Sequence, residues 1–341
     1  MILHENQKIF IEKCKDTAEH LKTEPFYIEK DYWVTYMLKK IATSEHKDNI
    51  SFKGGTSLSK AYNMIFRFSE DVDLRIYDSD KVFGGGVAKR IYKSIESVIG
   101  DEKLRNLKHI NRGDALREQR FEFKNIFTNP SQEILPYVKL EQNYQSSYLP
   151  MEQKEICSYV GKHLQETNKT LYIDAKLEPF TIATLSPKVT FTEKIGALQD
   201  YYYKGLKEND FSKLISSVRH FYDLHMMLNN SYFKGYLESS EFIENLLKKR
   251  ENDIAKFLPK ERRAEKISET HYGYLLNTDF SQCPLFFQLD KQNKGLYNQL
   301  KNMYENSFAN ITFGELPKFD KTISSLNVIG HFLTNTVATQ C

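Results

Sequence analysis

Cysteine and tryptophan are scarce in this 341-residue chain, no long apolar run occurs, and the charges nearly cancel. Each shortage removes a class of explanation. The four cysteines, Cys14, Cys157, Cys283 and Cys341, are far apart and form no Cys-x-x-Cys pair. That argues against a zinc ribbon or a disulfide framework and fits a reducing compartment. No stretch approaches the ~18–20 apolar residues that span a bilayer. Met1–Lys22 mixes charge with apolar positions and lacks a signal-peptide core. A cytoplasmic protein with no membrane partner is expected. The net charge of +3 is too small to argue for nucleic acid unaided, although local basic faces are allowed. A single Trp stands beside 23 Phe and 21 Tyr, an aromatic load that a core explains more readily than a cofactor box. There is no internal repeat and no low-complexity tract.

The length suffices for two domains, each able to bury a core. An apolar fraction of 40% and a charged fraction of 27% are ordinary for a globular protein. Hydrophobic spacing predicts two helices over Glu5–Ala42, broken at Thr23-Glu24-Pro25. A short strand, Ile50–Lys53, is expected next, then a helix over Leu58–Phe66 and a strand over Val72–Tyr77. Gly84-Gly85-Gly86 reads as a turn before a helix over Val87–Ile99. Arg120–Ile126 and Ile134–Asn143 alternate as strands do. The second puts Ile134, Pro136, Val138 and Leu140 on one phase and Lys139 and Glu141 on the other. Tyr148–Leu171 has no assignable pattern, and Pro179–Pro187 reads as a connector.

From Ser186-Pro187, a plausible cap and first-turn proline, the pattern becomes helical. Phe191, Ile195 and Leu198 recur at helical spacing, as do Phe211, Leu214, Ile215, Val218 and Tyr222. Further helices are expected over Ser239–Phe257, Gly295–Phe308 and Lys321–Thr334. The boundary therefore falls between 1–185 and 186–341, an α/β front half followed by a helical rear half.

The most informative stretch is Phe52-Lys53-Gly54-Gly55-Thr56-Ser57-Leu58-Ser59-Lys60, followed by Arg67-Phe68-Ser69-Glu70-Asp71-Val72-Asp73-Leu74. Alternate side chains of a strand share a face, so Asp71 and Asp73 point one way while Val72 and Leu74 pack behind them. Two carboxylates on one face make a hard oxygen site suited to Mg²⁺ or Mn²⁺. The Gly54–Ser57 turn offers backbone N–H groups to a phosphate. Its spacing is not that of a Walker A loop. Together the two elements read as a metal-dependent nucleotidyltransferase site, in which a third carboxylate from a neighbouring strand completes the set. Glu141 is the candidate.

Plainer readings stand beside these. An isolated Asp-x-Asp is usually a solvated strand edge, and a Lys139/Glu141 alternation is what any exposed strand shows. Lys194 reads on spacing alone as a solvated lysine, and Arg219 with Asp223 as an i,i+4 surface pair. Arg67 serves either a phosphate or the Ser69-Glu70 turn. His220 and His225, five apart, do not share a helix face and read as packing or surface residues. The basic runs Lys248–Arg250 and Lys260–Arg263 matter only if the substrate is RNA.

The two linked motifs closely resemble the signature of the AbiEii/AbiGii toxin family, part of the DNA polymerase β-like nucleotidyltransferase superfamily. Glu29-Lys30-Asp31-Tyr32-Trp33, Lys139-Leu140-Glu141, Ser186-Pro187 with Glu193-Lys194, and Arg219-His220-Phe221-Tyr222-Asp223-Leu224 follow in the same order. The resemblance covers roughly residues 25–225. It implies an α+β fold, a polymerase β-like core with a mixed sheet flanked by helices, plus a C-terminal helical bundle. It implies that Gly55 and Thr56 contact nucleotide phosphates, that Asp71 and Asp73 bind metal, and that Glu141 is the third acid, in the role of base. It associates Lys194 and Asp223 with the active site, with Arg219 beside them. Many members have Arg-Asp where this chain has Arg219-His220, so no catalytic role is carried to His220.

Members of that family are typically toxins of toxin–antitoxin or abortive-infection systems. Characterised relatives bind nucleoside triphosphates, and some add nucleotides to the acceptor end of tRNA. The usual antitoxin is a separate protein. The expectation is therefore a transferase that moves a nucleoside monophosphate from an NTP to RNA, most simply a tRNA 3′ end. Gly54–Ser57, Lys194 and Arg219 would hold the triphosphate. Transfer to a protein hydroxyl, or a silent nucleotide- or partner-binding module, are the alternatives.

Overall fold

The computed structural model describes residues 2–69, 71–77, 85–100, 105–111, 116–129, 134–144, 150–257 and 283–338. They form two compact units, Met1–Ser186 and Pro187–Cys341. The first is built on a seven-stranded sheet of β1 (Ile50–Lys53), β2 (Asp71–Ile76), β3 (Arg105–Asn111), β4 (Leu116–Glu122), β5 (Tyr137–Tyr144), β6 (Met151–Ile156) and β7 (Phe180–Leu185). Their spatial order is β3-β4-β5-β2-β1-β7-β6. The sheet is mixed: β2/β5 and β1/β7 run parallel, and the other neighbouring pairs run antiparallel. Among the described residues six α-helices accompany it: α1 (Gln7–Leu21), α2 (Pro25–Ala42), α3 (Gly54–Lys60), α4 (Gly85–Ile99), α5 (Tyr159–Thr167) and α6 (Lys169–Asp174). This is the α+β architecture expected.

Local chemistry explains the helix ends. Asn6 caps α1 by accepting from the Ile9 N–H at 3.2 Å, and Lys22 closes it in the left-handed region at φ 54°. Pro25 occupies the first position of α2, where its missing N–H is harmless. Ser158 caps α5 through the Gly161 N–H at 3.0 Å. The strand expected over Ile134–Asn143 is β5 at Tyr137–Tyr144; of its expected apolar phase Val138 and Leu140 are fully covered, while Pro136 precedes the strand and is exposed.

Some expectations are corrected. The helix after the glycines starts at Gly54 and ends at Lys60, so residues 61–66 are not helical as the Leu58–Phe66 assignment had them. Pro179–Pro187 is no plain connector, because Phe180–Leu185 is β7, an inner strand beside β1. The unassigned Tyr148–Leu171 region contains β6, α5 and the start of α6. The strand expected over Arg120–Ile126 lies at Leu116–Glu122. The helix expected from Val87 already begins at Gly85. Gly84 and the Lys260–Arg263 run lie outside the described residues.

Helix α2 joins the elements around the sheet through three consecutive charged residues, all buried. The Glu29 carboxylate accepts from the backbone N–H groups of Ile126 and Phe127, at 3.0–3.1 Å. Lys30 donates to the Leu135 carbonyl. Asp31 pairs with Lys60 at the end of α3 and accepts from the Tyr159 N–H at 2.8 Å. The Lys60 ammonium also lies 5.1 Å from the centre of the Tyr159 ring. Burying charge is unfavourable unless it is paired and hydrogen-bonded, and each of these groups has its partner. The network fixes α3, and with it the Gly54–Gly55 turn.

The second unit is helical: α7 (Pro187–Glu208), α8 (Ser212–Ile215), α9 (Arg219–Leu228), α10 (Ser240–Phe257), α11 (Leu289–Gln292), α12 (Lys294–Asn302) and α13 (Phe319–Ala338). Phe191, Ile195, Leu198, Leu214, Phe221 and Leu224 are buried in it. No helix among the described residues is long and apolar enough to cross a membrane.

Candidate active site

Register assembles the acids. Asp71 and Asp73 of β2 stand opposite Lys139 and Glu141 of β5, and Asp73 stands opposite Lys53 of β1 on its other side. Glu118 of β4 stands opposite Glu141, and Arg120 opposite Lys139. Because side chains alternate along each strand, these seven belong to one face of the sheet, while Val72, Leu74, Val138 and Leu140 fill the other. The charges on that face are not independent. Lys139 Nζ lies 2.8 Å from Asp71 Oδ2 and 3.9 Å from Glu141 Oε2. Arg120 donates to Glu118 at 3.2–3.3 Å, which leaves Asp71, Asp73 and Glu141 as the acids around Lys139. The second oxygen of Asp71, Oδ1, is buried with no hydrogen-bond partner among the described residues.

The charge density shows in the acidity. Burial, then the carboxylates of Glu141 and Asp71, push the Asp73 carboxyl up to about 7, against the opposing pull of Lys139 and Lys53. For Lys139 burial works against the charged form. The nearby acids, Asp71 first, outweigh it and hold the ammonium above its ordinary value. More negative charge has been gathered here than the flanking lysines neutralise.

The glycine turn is shaped around these acids. Gly54 has φ +77°, and a Cβ there would overlap the Asp73 carboxylate. A Cβ on Gly55 would stand 2.6 Å from a terminal nitrogen of Arg67 and 2.9 Å from Ser69 Oγ. Arg67 is buried and donates to the Phe68 carbonyl at 2.9 Å. Thr56 and Ser57 are fully buried, and their hydroxyls serve the fold. Ser57 donates to the Gly54 carbonyl at 2.9 Å. Thr56 Oγ1 bonds the Asp71 carbonyl at 2.5 Å and Ser69 Oγ at 2.9 Å. A carbonyl only accepts, so the Thr56 proton goes there and Ser69 is the donor to Thr56. What this turn can present to a ligand is backbone N–H. The first N–H groups of α3 have no partner within the helix, and no side chain caps it.

The acids suit a divalent cation. Hard carboxylate oxygens match Mg²⁺ or Mn²⁺, and the buried, unpartnered Asp71 Oδ1 is the kind of atom such an ion satisfies. Among the described residues, however, no three His, Cys, Asp or Glu side chains are gathered into a ready ligand set. The Lys139 ammonium lies among the acids instead.

The remaining candidates belong to the second unit. Lys194 of α7 and Asp223 of α9 form a buried ion pair at 2.6 Å, with Asp223 fully covered. His220 Nδ1 lies 3.3 Å from Lys194 Nζ and stacks its ring on Tyr201 at 6.4 Å. An ammonium only donates, so Nδ1 accepts and the ring proton sits on Nε2. Two plain readings are thereby overturned: Lys194 is not solvated, and the partner of Asp223 is Lys194, not Arg219, which is exposed. His225, hydrogen-bonded to Ser325 at 2.8 Å, is a packing histidine as expected.

Three contacts are not readable from composition. The cross-strand contact of Lys139 with Asp71 depends on register. The Glu118–Arg120 pair shows in the sequence only as two charged residues alternating within a strand. The tie between Asp31 and Lys60 spans 29 positions and carries no local signal.

The model of a protein family described as the AbiEii nucleotidyl transferase toxin of type IV toxin–antitoxin systems matches residues 36–324. The chain belongs to this family. It is thus a nucleotidyltransferase of the toxin class, and the match spans both the acid-bearing sheet and the Lys194–Asp223 pair. Comparison with individually curated proteins finds no match.

Proposed function

We propose that the enzyme transfers a nucleoside monophosphate from an NTP to a hydroxyl of RNA, most simply a tRNA 3′ end, with Asp71, Asp73 and Glu141 holding divalent cations. The observation that carries this is the register: two acids on β2 and one on β5 share a sheet face beside a glycine whose absent side chain leaves room for Asp73. Bound Mg²⁺ or Mn²⁺ supplies charge neutralisation of the triphosphate and activation of the attacking hydroxyl. The residues themselves supply placement. Asp71 and Asp73 present oxygens from a strand held on both sides. Glu141, on the parallel neighbour, orients the incoming hydroxyl and accepts its proton in this reading. The backbone N–H groups of Gly54–Ser57 receive phosphate oxygens, and Arg67, against Gly55, adds positive charge there. Following the resemblance, Lys194, Arg219 and Asp223 handle the nucleotide in this reading, a role that NTP affinity tests. A cognate antitoxin protein and a cytoplasmic setting belong to the same reading.

The test is incubation of the enzyme with each labelled NTP, Mg²⁺ and either tRNA or cell protein, beside Asp73→Asn. Label on tRNA from the wild type alone is expected, and identifies the nucleotide. Label confined to protein would replace the RNA acceptor by a protein hydroxyl. No label in either pool, with NTP still bound, would leave a silent binding module.

A further inference from the structure

The acid face contains a cation of its own, and its position bears on how a metal enters. Lys139 Nζ lies within hydrogen-bond distance of one Asp71 oxygen and near one oxygen of Glu141, while the other Asp71 oxygen is buried without a partner. Resting on the reading of Asp71, Asp73 and Glu141 as a divalent-cation site, we infer that Lys139 is a resident counter-ion. It must leave Asp71 before the cation binds, and so sets the concentration at which the enzyme loads.

A Mg²⁺ ligand oxygen lies about 2.0–2.1 Å from the ion. A metal bound to Asp71 would therefore stand a few ångströms from an ammonium hydrogen-bonded to the same carboxylate. At that separation like charges repel strongly even under partial solvent screening. Lysine suits a displaceable role, being a compact charge on a flexible stem, whereas arginine would grip a carboxylate through two donors. Its side chain is 22% exposed, which gives it a route outward. The surrounding charges favour departure into solvent over transfer to another acid. Glu118, across the sheet face, is already bound by Arg120, and Lys53 on β1 repels a second ammonium near Asp73.

Mn²⁺ titration by calorimetry, without nucleotide and at low ionic strength, tests this on wild type, Lys139→Met and Asp71→Asn. Lys139→Met is expected to bind Mn²⁺ about tenfold or more tighter than wild type, and Asp71→Asn to lose binding. A folded Lys139→Met that binds no tighter than wild type overturns the inference while leaving the metal site standing. Absence of binding in both overturns the metal site and the inference together. A second measurement needs no variant at this position. In the wild type, acylation of Lys139 by an amine-reactive ester, quantified by mass spectrometry, should rise several-fold on Mn²⁺ saturation. Unchanged labelling at saturating Mn²⁺ overturns the displacement.

Discussion

Charged side chains are drawn inward in two regions of the sheet-bearing unit, and the two are balanced in opposite ways. Along α2 every charge meets its complement: Glu29 receives backbone N–H groups, Lys30 a carbonyl, and Asp31 both Lys60 and a backbone N–H. On the sheet face Asp71, Asp73 and Glu141 share Lys139, one carboxylate oxygen has no partner among the described residues, and the Asp73 carboxyl is raised not by burial alone, as that of Glu29 is, but also by the carboxylates of Glu141 and Asp71. The first arrangement is finished within the chain and holds elements together. The second carries a surplus of negative charge that the proposed cation would relieve. The balanced network serves the fold, and the unbalanced face is the proposed site.

The sharpest way to separate the two is to remove one acid from each. Asp73→Asn should lower nucleotidyl transfer on the order of a thousandfold, since it removes a cation ligand. Without metal at pH 8 it should also raise stability by roughly 3 kcal/mol. The sign follows from linkage: a carboxyl raised in the folded state is ionised at that pH only against its neighbours, and asparagine removes the repulsion. Asp31→Ala should do the reverse and cost about 3–5 kcal/mol of stability, because it leaves Lys60 buried and uncompensated. Chemical denaturation measures both.

The second unit offers a smaller version of the balanced case. Asp223→Ala should destabilise by on the order of 3 kcal/mol by stranding the Lys194 ammonium, and Lys194→Met with Asp223→Leu should recover much of that loss. If instead the single variant melts like wild type while NTP affinity collapses, the pair is held for ligand and not for fold.

The smallest effect concerns Glu29. Burial raises its carboxyl from the ordinary 4.5 to about 7, despite the N–H groups of Phe127 and Ile126 and the Trp33 side chain, which favour the charged form. A raised carboxyl contributes stability that is fully present below about pH 4.5 and lost as pH rises through about 7. Wild type should therefore lose on the order of 2 kcal/mol across that window through this group. Glu29→Gln should flatten the profile. An unchanged slope would place the pH dependence elsewhere.

Much of the site was legible in the chain because its signals are local. Two glycines after a short strand, Asp-x-Asp, and a β5 segment alternating Val138 and Leu140 with Lys139 and Glu141 are each read within a few positions. What escaped depended on partners distant in sequence. Strand β7 was indistinct because an inner strand is defined by its neighbours β1 and β6 rather than by its own alternation. The hydroxyls of Thr56 and Ser57 turn inward through contacts with Asp71, Ser69 and Gly54, which the motif alone does not reveal. Lys194 read as solvated because its partner, Asp223, lies 29 positions away, farther than any helical spacing rule extends.

The central claim is that the unbalanced face is a cation site. Its most direct measurement is the melting temperature of wild type and Asp73→Asn with and without Mn²⁺. The two proteins should cross: the variant melts higher without metal, and the wild type alone gains from Mn²⁺ and becomes the more stable. Parallel responses of the two proteins to Mn²⁺, with no change in their order, would contradict it.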